Sequence, residues 1–226
     1  MKARPILFSA PMVRAILNSK KSMTRRAVKL DISGIVARGG KQWRIDDPNA
    51  VRACPYGNVS DQLWVRETWR VGAWSDGKIA VDYRADNHSR REWLNVRDKN
   101  QWRRLIEQSA QDAIGRHNGD RFVWDPGESP CRWRPSIHMP RWASRITLEI
   151  TDIRIERLQD IIEDDAIAEG VGQIVLEILL GIQQCGECAA IDFDPVNEYR
   201  KLWESINGEN SWDKNPWVWV VEFRRI

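Results

Sequence analysis

Long apolar runs are the first thing this chain lacks: nothing in its 226 residues approaches the roughly 20 consecutive apolar positions that a membrane-spanning helix needs. Met1-Lys2-Ala3-Arg4-Pro5 leads straight into the strand-like Ile6-Leu7-Phe8 instead of an apolar leader, so a cytoplasmic protein with no membrane partner is expected. An excess of charge of one sign is missing too. The 35 Lys and Arg against 32 Asp and Glu leave a net +3, so bulk charge does not mark a nucleic-acid binder and the placement of the basic residues has to decide. No glycine-rich phosphate loop, His-Glu-x-x-His pattern or nucleophile elbow is present, and the residues call for no cofactor. Cysteine is scarce. Without a secretory leader, Cys54, Cys131, Cys185 and Cys188 are expected as reduced thiols. Cys185-Gly186-Glu187-Cys188 has the spacing of half a zinc site, whose other half would have to come from Cys54, Cys131, His117 or His138. Ordinary loop cysteines are the competing reading, and no metal is assigned.

What is present suffices for a core: 42% of the residues are hydrophobic, a content and length that fit one elaborated domain or a small domain with a long insertion. Residues 5–11 read as a strand. A helix follows over 12–20, with Met12, Val13, Ile16 and Leu17 at three- and four-residue spacing and Pro11 in its first turn. A return strand is expected over 26–30, then a long polar loop over 31–57. Residues 63–69 alternate as a strand, with 79–83 as its hairpin partner, and 99–114 form a helix that Gly115 ends. Residues 84–134, dense in Arg and Trp, read as an insertion. Residues 146–158 form the longest strand, whose apolar register switches near Thr151-Asp152, as a bulge in a closed barrel would require. Asp160-x-x-Glu163 predicts a capping box on a helix running to Glu169, with Gly170 as its left-handed end. Further helices are expected over 174–181 and 196–206, and a terminal strand over 217–223.

Lys20-Lys21-Ser22-Met23-Thr24-Arg25-Arg26 concentrates two amines, two hydroxyls and two guanidinium groups just after the first helix, a combination suited to an anionic or base-like ligand. The competing reading is a solvated basic cap at the partly negative end of that helix.

Pro-Ile-Leu-Phe-Ser-Ala-Pro-Met-Val (5–13), Leu-Trp-Val-Arg-Glu-Thr-Trp (63–69), the run Pro135 to Arg145 and Asn215 to Phe223 resemble an ASCH-domain protein of the larger phage and prophage branch. That family belongs to the PUA-like group of small β-barrels that bind RNA or modified nucleobases. The resemblance implies an α+β fold, a PUA-like barrel with flanking helices built from about 5–83 and 135–226, and a Trp/Arg-rich insertion at about 84–134. It also implies a site. Small bacterial ASCH enzymes that hydrolyse the amide of N4-acetylcytidine carry a Lys-Thr-x-Thr motif after the first helix and a distant Glu. By similarity Lys21 is the motif lysine, Thr24 the nucleophile and Glu169 the distant acid, with Ser22 in place of a threonine.

The chemistry is coherent with those residue types. A threonine hydroxyl needs a base, and a lysine becomes one only where burial or neighbouring cations such as Lys20, Arg25 and Arg26 depress its pKa. A helix C-terminus would raise the pKa of Glu169 toward that of a proton donor. Arg66 and Glu67 are set either for a base edge or for an internal salt bridge. His138, Arg141 and Arg145 would offer donors to phosphate or base, or else lie in a barrel-closing loop. Of the thirteen tryptophans, Trp64, Trp203, Trp217 and Trp219 are assigned to the interior, and Trp93, Trp102, Trp124 and Trp133 to surfaces that stack on unpaired bases. The expected partners are RNA, DNA or a modified nucleoside. The activity is hydrolysis of an N-acyl group on modified cytidine, with a non-catalytic nucleic-acid or protein-binding module and a single-strand ribonuclease as alternatives.

Overall fold

The computed structural model describes residues 2–30, 34–75, 77–86, 88–116, 122–172 and 193–226. Strand β1 (Ala3–Leu7) leads into helix α1 (Ala10–Leu17), which buries Met12, Val13, Ala15 and Ile16 on one face. Ser19 adopts a positive φ of 56°, and the chain becomes extended again as β2 (Met23–Ala27), three residues ahead of the strand expected from Arg26. The expected loop over 31–57 holds instead a hairpin, β3 (Ile35–Arg38) with β4 (Lys41–Arg44), and a 3-10 helix at Pro48–Ala53. Gly39 and Gly40, with φ of 59° and 77°, form the two-residue turn that matches strand twist, a signal hidden in a polar stretch.

The alternating run 63–69 is divided between β5 (Gln62–Arg66) and β6 (Trp69–Ser75). Strand β7 (Lys78–Tyr83) pairs with β6 rather than with β5, with Trp69 opposite Tyr83. Then come β8 (His88–Asn95), α2 (Lys99–Asp112) capped by Asp98, β9 (Phe122–Val123), β10 (Thr147–Arg157), α3 (Glu163–Ala168), α4 (Pro195–Asn207) capped by Asp194, and β11 (Trp217–Arg225). The helix expected at 174–181, together with Cys185, Cys188 and His117, lies outside the described residues. No described helix is long and apolar enough to cross a membrane.

The fold is mixed α+β, and the chain divides into two compact units. The first comprises Met1–Arg4, Ala15–Leu63 and Thr147–Ile226. Its framework is the antiparallel ladder of β10, β11 and β2 within a sheet ordered β1-β5-β10-β11-β2, which ends on β1 and β2 and is not closed into a barrel among the described residues. The bulge falls where the apolar register switches, between Ile150 and Asp152. Met23, Val218 and Val220 on one sheet face pack with Leu158, Ile161, Ala166, Tyr199, Trp203 and Trp212. The expected capping box does not form. The α3 N-cap is Ile162, and Asp160 instead accepts from the Arg157 N–H one turn earlier, closing a 3-10 turn at Leu158–Asp160.

The second unit comprises Pro5–Arg14 and Trp64–Ile146. Its four-stranded sheet, ordered β8-β7-β6-β9, buries Trp69, Val71, Ile79, Val81 and Tyr83 with Ala113, Cys131, Met139 and Ala143. Residues 84–134 therefore contribute to a core of their own with their neighbours in sequence. Trp102 and Trp124, assigned to stacking surfaces, pack partly buried against this core, and Trp74 stacks on Phe122 at 4.5 Å. Amphipathic rings bordering charged residues give the same sequence signal whether they pack or bind.

Candidate functional site

The end of α1 turns the basic run inward. The N–H groups of Lys20 and Lys21 both donate to Ala15 O, at 2.8 and 3.1 Å, so that Lys20 stays exposed while Lys21 is directed into the protein and keeps only 3% of its surface. A solvated cap describes Lys20 but not Lys21.

Opposite this turn lies the end of α3, joined to it at several points. Ser22 N–H donates to Ala168 O at 2.9 Å. The Lys21 ammonium donates to Glu169 O at 2.8 Å and to Glu169 Oε2 at 2.6 Å, and Arg25 N–H donates to Glu169 Oε1 at 2.5 Å. This last bond has a topological cause. In the β2–β11 ladder Thr24 lies opposite Val221 and Arg25 opposite Val220, and β2 is an edge strand, so the outward N–H of Arg25 would otherwise lack a partner. Glu169 thus satisfies a sheet edge and a buried cation with one carboxylate. Gly170 makes the approach possible: its φ is +86°, and a Cβ there would lie 3.0 Å from the Ala15 Cβ and 3.1 Å from the Lys21 Cβ.

Thr24 is buried, 2% exposed, on the β2 face opposite Met23 and Arg25. Among the described residues no hydrogen bond joins its hydroxyl to Lys21 or Glu169. The lysine and the acid therefore meet directly across 148 positions of sequence, and the threonine sits one residue from the backbone amide that completes their contact.

Burial is the largest influence on Lys21 and lowers its pKa from 10.5. The Glu169 charge and hydrogen bond oppose that shift, and the Arg26 and Arg25 charges reinforce it. Burial also raises the Tyr199 hydroxyl well above its usual 10, with the Glu169 charge acting in the same direction. Of the cations expected to tune the lysine, Arg26 and Arg25 act in the expected direction.

Arg25 has no surface left for a nucleic acid. Its guanidinium is wholly buried, donating to Asp165 Oδ2 at 2.5 Å and Glu156 Oε2 at 3.2 Å, with Met23 Sδ at 3.1 Å. Arg154 binds the same carboxylates: Nη2 lies 3.2 Å from both Asp165 oxygens, Nε donates to Glu156 and Nη1 to Glu222. Asp165 and Glu169, four residues apart, share one face of α3 and hold Arg25 and Lys21 respectively. That i,i+4 pair of acids was the available sequence signal for Asp165, since it presents two carboxylates to a basic strand.

In the second unit Glu67 and Arg145 form an internal salt bridge rather than a base-reading pair. Arg145 Nε and Nη2 bind the two Glu67 oxygens at 2.9 Å each, Nη1 and Nη2 bind Asp86 at 2.8 and 2.9 Å, and the guanidinium lies 4.1 Å from the Tyr83 ring centroid. Neither Asp86 nor Tyr83 was singled out from sequence. Arg66 and Arg141 flank one indole, with their guanidinium carbons 4.7 and 5.8 Å from the Trp64 ring, and His138 is exposed.

Among the described residues no cluster of His, Cys, Asp and Glu could hold a metal ion. Cys54 and Cys131 are buried free thiols whose pKa values burial raises, a setting for inert rather than reactive cysteines. No protein-family model, curated protein or solved structure matches the chain.

Proposed function

We propose that this chain is an ASCH-type, PUA-like protein that recognises a modified nucleobase and removes an N-acyl group from it, with Lys21, Thr24 and Glu169 as the reacting residues. The observation that carries this reading is the buried contact between Lys21 Nζ and Glu169 Oε2 at 2.6 Å, on a lysine whose pKa burial lowers. A lysine with a depressed pKa is a competent general base, and such groups concentrate where chemistry is done.

In this mechanism the Lys21 amine takes the proton of the Thr24 hydroxyl as Oγ1 attacks the acyl carbonyl. The proton then passes along the short Lys21–Glu169 contact to the amine nitrogen of the base, the C–N bond breaks, and the acyl group rests on Thr24 as an ester. Water attacks that ester and gives a proton through Lys21 to Thr24 Oγ1 as the acyl C–Oγ1 bond breaks, so the carboxylic acid leaves and the hydroxyl is restored. The test is incubation with N4-acetylcytidine and detection of cytidine. Thr24→Val keeps the volume and removes the nucleophile, so turnover should fall by about 10³-fold or more with the fold intact. Turnover unaffected by Thr24→Val and Lys21→Met would refute the assignment.

A second reading is favoured by the missing hydrogen bond between Thr24 and Lys21: a module that binds the base without chemistry, in which the lysine and the acid only fasten β2 to α3. It predicts salt-sensitive nucleic-acid binding and no cytidine release.

A further inference from the structure

The second unit contains a groove of about 580 Å³ lined by Trp69, Leu105, Gln108, Arg132, Trp133, Arg134, Pro135 and His138. This lies within the roughly 300–1,000 Å³ usual for ligand sites. It continues through Leu105 and Gln108 into a hollow of about 490 Å³ along the start of α2, where Asn100, Gln101 and Arg104 add polar groups.

The lining has more donors than acceptors. Gln108 Oε1 is already taken by Arg134 Nη1 at 2.7 Å. Arg134 Nε and the Trp69 indole N–H are buried and have no acceptor among the described residues. Arg132 contributes a further cation. Its only ionic partner among the described residues is Asp112 at 3.9 Å, and its side chain is 62% exposed, so it can be redirected at little cost. Burial lowers the pKa of Arg134, and the Arg132 charge adds to that shift, so an anion placed beside the two guanidinium groups would relieve both. A flat ring completes the set. Trp133 is half-buried in the groove wall, with the Arg70 and Arg84 guanidinium carbons 4.4 and 6.0 Å from its ring centroid.

We infer that this groove binds single-stranded nucleic acid, taking a base against the Trp133 indole and the adjoining phosphate between Arg132 and Arg134. Acceptor-rich phosphate oxygens and base carbonyls match a wall of donors, and the indole supplies stacking that tolerates any base. The inference extends the nucleic-acid part of the function proposed above and does not require the chemistry at Lys21.

The experiment is fluorescence anisotropy of the full chain with a labelled single-stranded RNA and the DNA of the same sequence. Trp133→Ala should weaken binding about 5- to 100-fold, as loss of one stacked base does. Arg132→Ala, at an exposed position that leaves folding untouched, should lower the slope of log affinity against log salt by about 1. Arg103→Ala, on the exposed side of α2, should change neither. RNA and DNA bound alike, RNA preferred through its 2′-hydroxyl, or displacement by a free nucleoside monophosphate each support the groove and identify its source. Affinity unaffected by both groove variants overturns it, as does an equal loss in Arg103→Ala or displacement by polyglutamate that is insensitive to Trp133→Ala. If Lys21→Met abolishes binding while the groove variants do not, the groove falls and the site in the first unit stands. If the groove variants act and no cytidine is released from N4-acetylcytidine, the reverse holds.

Discussion

Arg25 and Arg154 lie on strands β2 and β10 of the first unit and Arg132 and Arg134 in the loop ahead of Pro135 in the second, and the two pairs have opposite fates. The first pair is enclosed by Asp165, Glu156 and Glu222, with nearly every guanidinium nitrogen donating to a carboxylate or thioether. The second pair has, among the described residues, one carboxylate, Asp112, with Gln108 and Ser109 as neutral acceptors for Arg134. Taking a guanidinium out of water costs several kcal/mol and is recovered only where carboxylates close around it. An arginine whose terminal nitrogens are taken by carboxylates therefore builds structure, even where, as at Arg25, the buried Nε has no acceptor among the described residues. An arginine with too few acceptors is held ready for one that arrives from solution. By this criterion Lys21 is intermediate, since it is buried and paired but its pairing does not overcome the burial that lowers its pKa.

The largest expected effect breaks the first of these environments. Glu169→Ala takes the carboxylate away from the buried Lys21 cation, leaving it the residue-169 carbonyl, and removes the acceptor of the Arg25 N–H, and should cost about 3–5 kcal/mol of stability in urea unfolding. Replacing both partners, as Lys21→Met with Glu169→Leu, should recover most of that loss, because an apolar pair of similar volume needs no desolvation. A double variant no more stable than Glu169→Ala would mean that the pair holds the turn by more than its charge.

The matching test in the second unit is Arg145→Ala. It strips the nearly buried Glu67 of its two bonds to the guanidinium and removes the cation stacked on Tyr83, with an expected loss of about 3 kcal/mol. Arg132→Ala in the same unit should shift unfolding by less than about 0.5 kcal/mol. Thermal melts that rank these two arginines equally would end the distinction between building and binding guanidinium groups.

Gly170→Ala ranks next. The left-handed φ and the contact a Cβ would make with Ala15 and Lys21 together should cost about 1–3 kcal/mol, with the methyl pushing Lys21 off Glu169. If the proposed hydrolysis exists, its rate should fall more than stability does, because the displaced amine is the base. A stable variant with full activity would separate the Lys21–Glu169 contact from the chemistry.

Periodicity made the helices and the bulge legible, because burial on one face leaves a repeating apolar signal, as in Met12, Val13 and Ile16 or in the register switch of β10. The pairing partners were less so. Residues 63–69 alternate without interruption, and nothing local shows that the chain breaks at Glu67-Thr68 to give β6 its own partner. The β3–β4 hairpin was missed because its strands are polar and only Gly39-Gly40 marks the turn. Lys21 stands out in the basic run after the first helix, Glu169 only through resemblance, and their direct contact is a tertiary fact. Asp165, Asp86 and Gly170 carry as much of the arrangement, yet they look like surface acids and a helix-ending glycine until the strand they face is known.

The smallest effect tests whether Lys21 belongs between the two environments. With its folded-state pKa below 10.5, the unfolded chain binds more protons than the native one between that lowered value and 10.5. The burial penalty is therefore fully present below the lowered pKa and is relieved as the pH rises toward 10.5, so this group makes stability climb with pH across the window. The slope from one site cannot exceed about 1.4 kcal/mol per pH unit. Urea unfolding of the parent chain should gain stability over the Lys21→Met/Glu169→Leu variant as pH rises through that window, and the proposed hydrolysis should reach its basic plateau before pH 10.5. A constant difference between the two chains up to pH 10.5 would mean that the ion pair cancels the burial, leaving Lys21 to fasten the turn and nothing more.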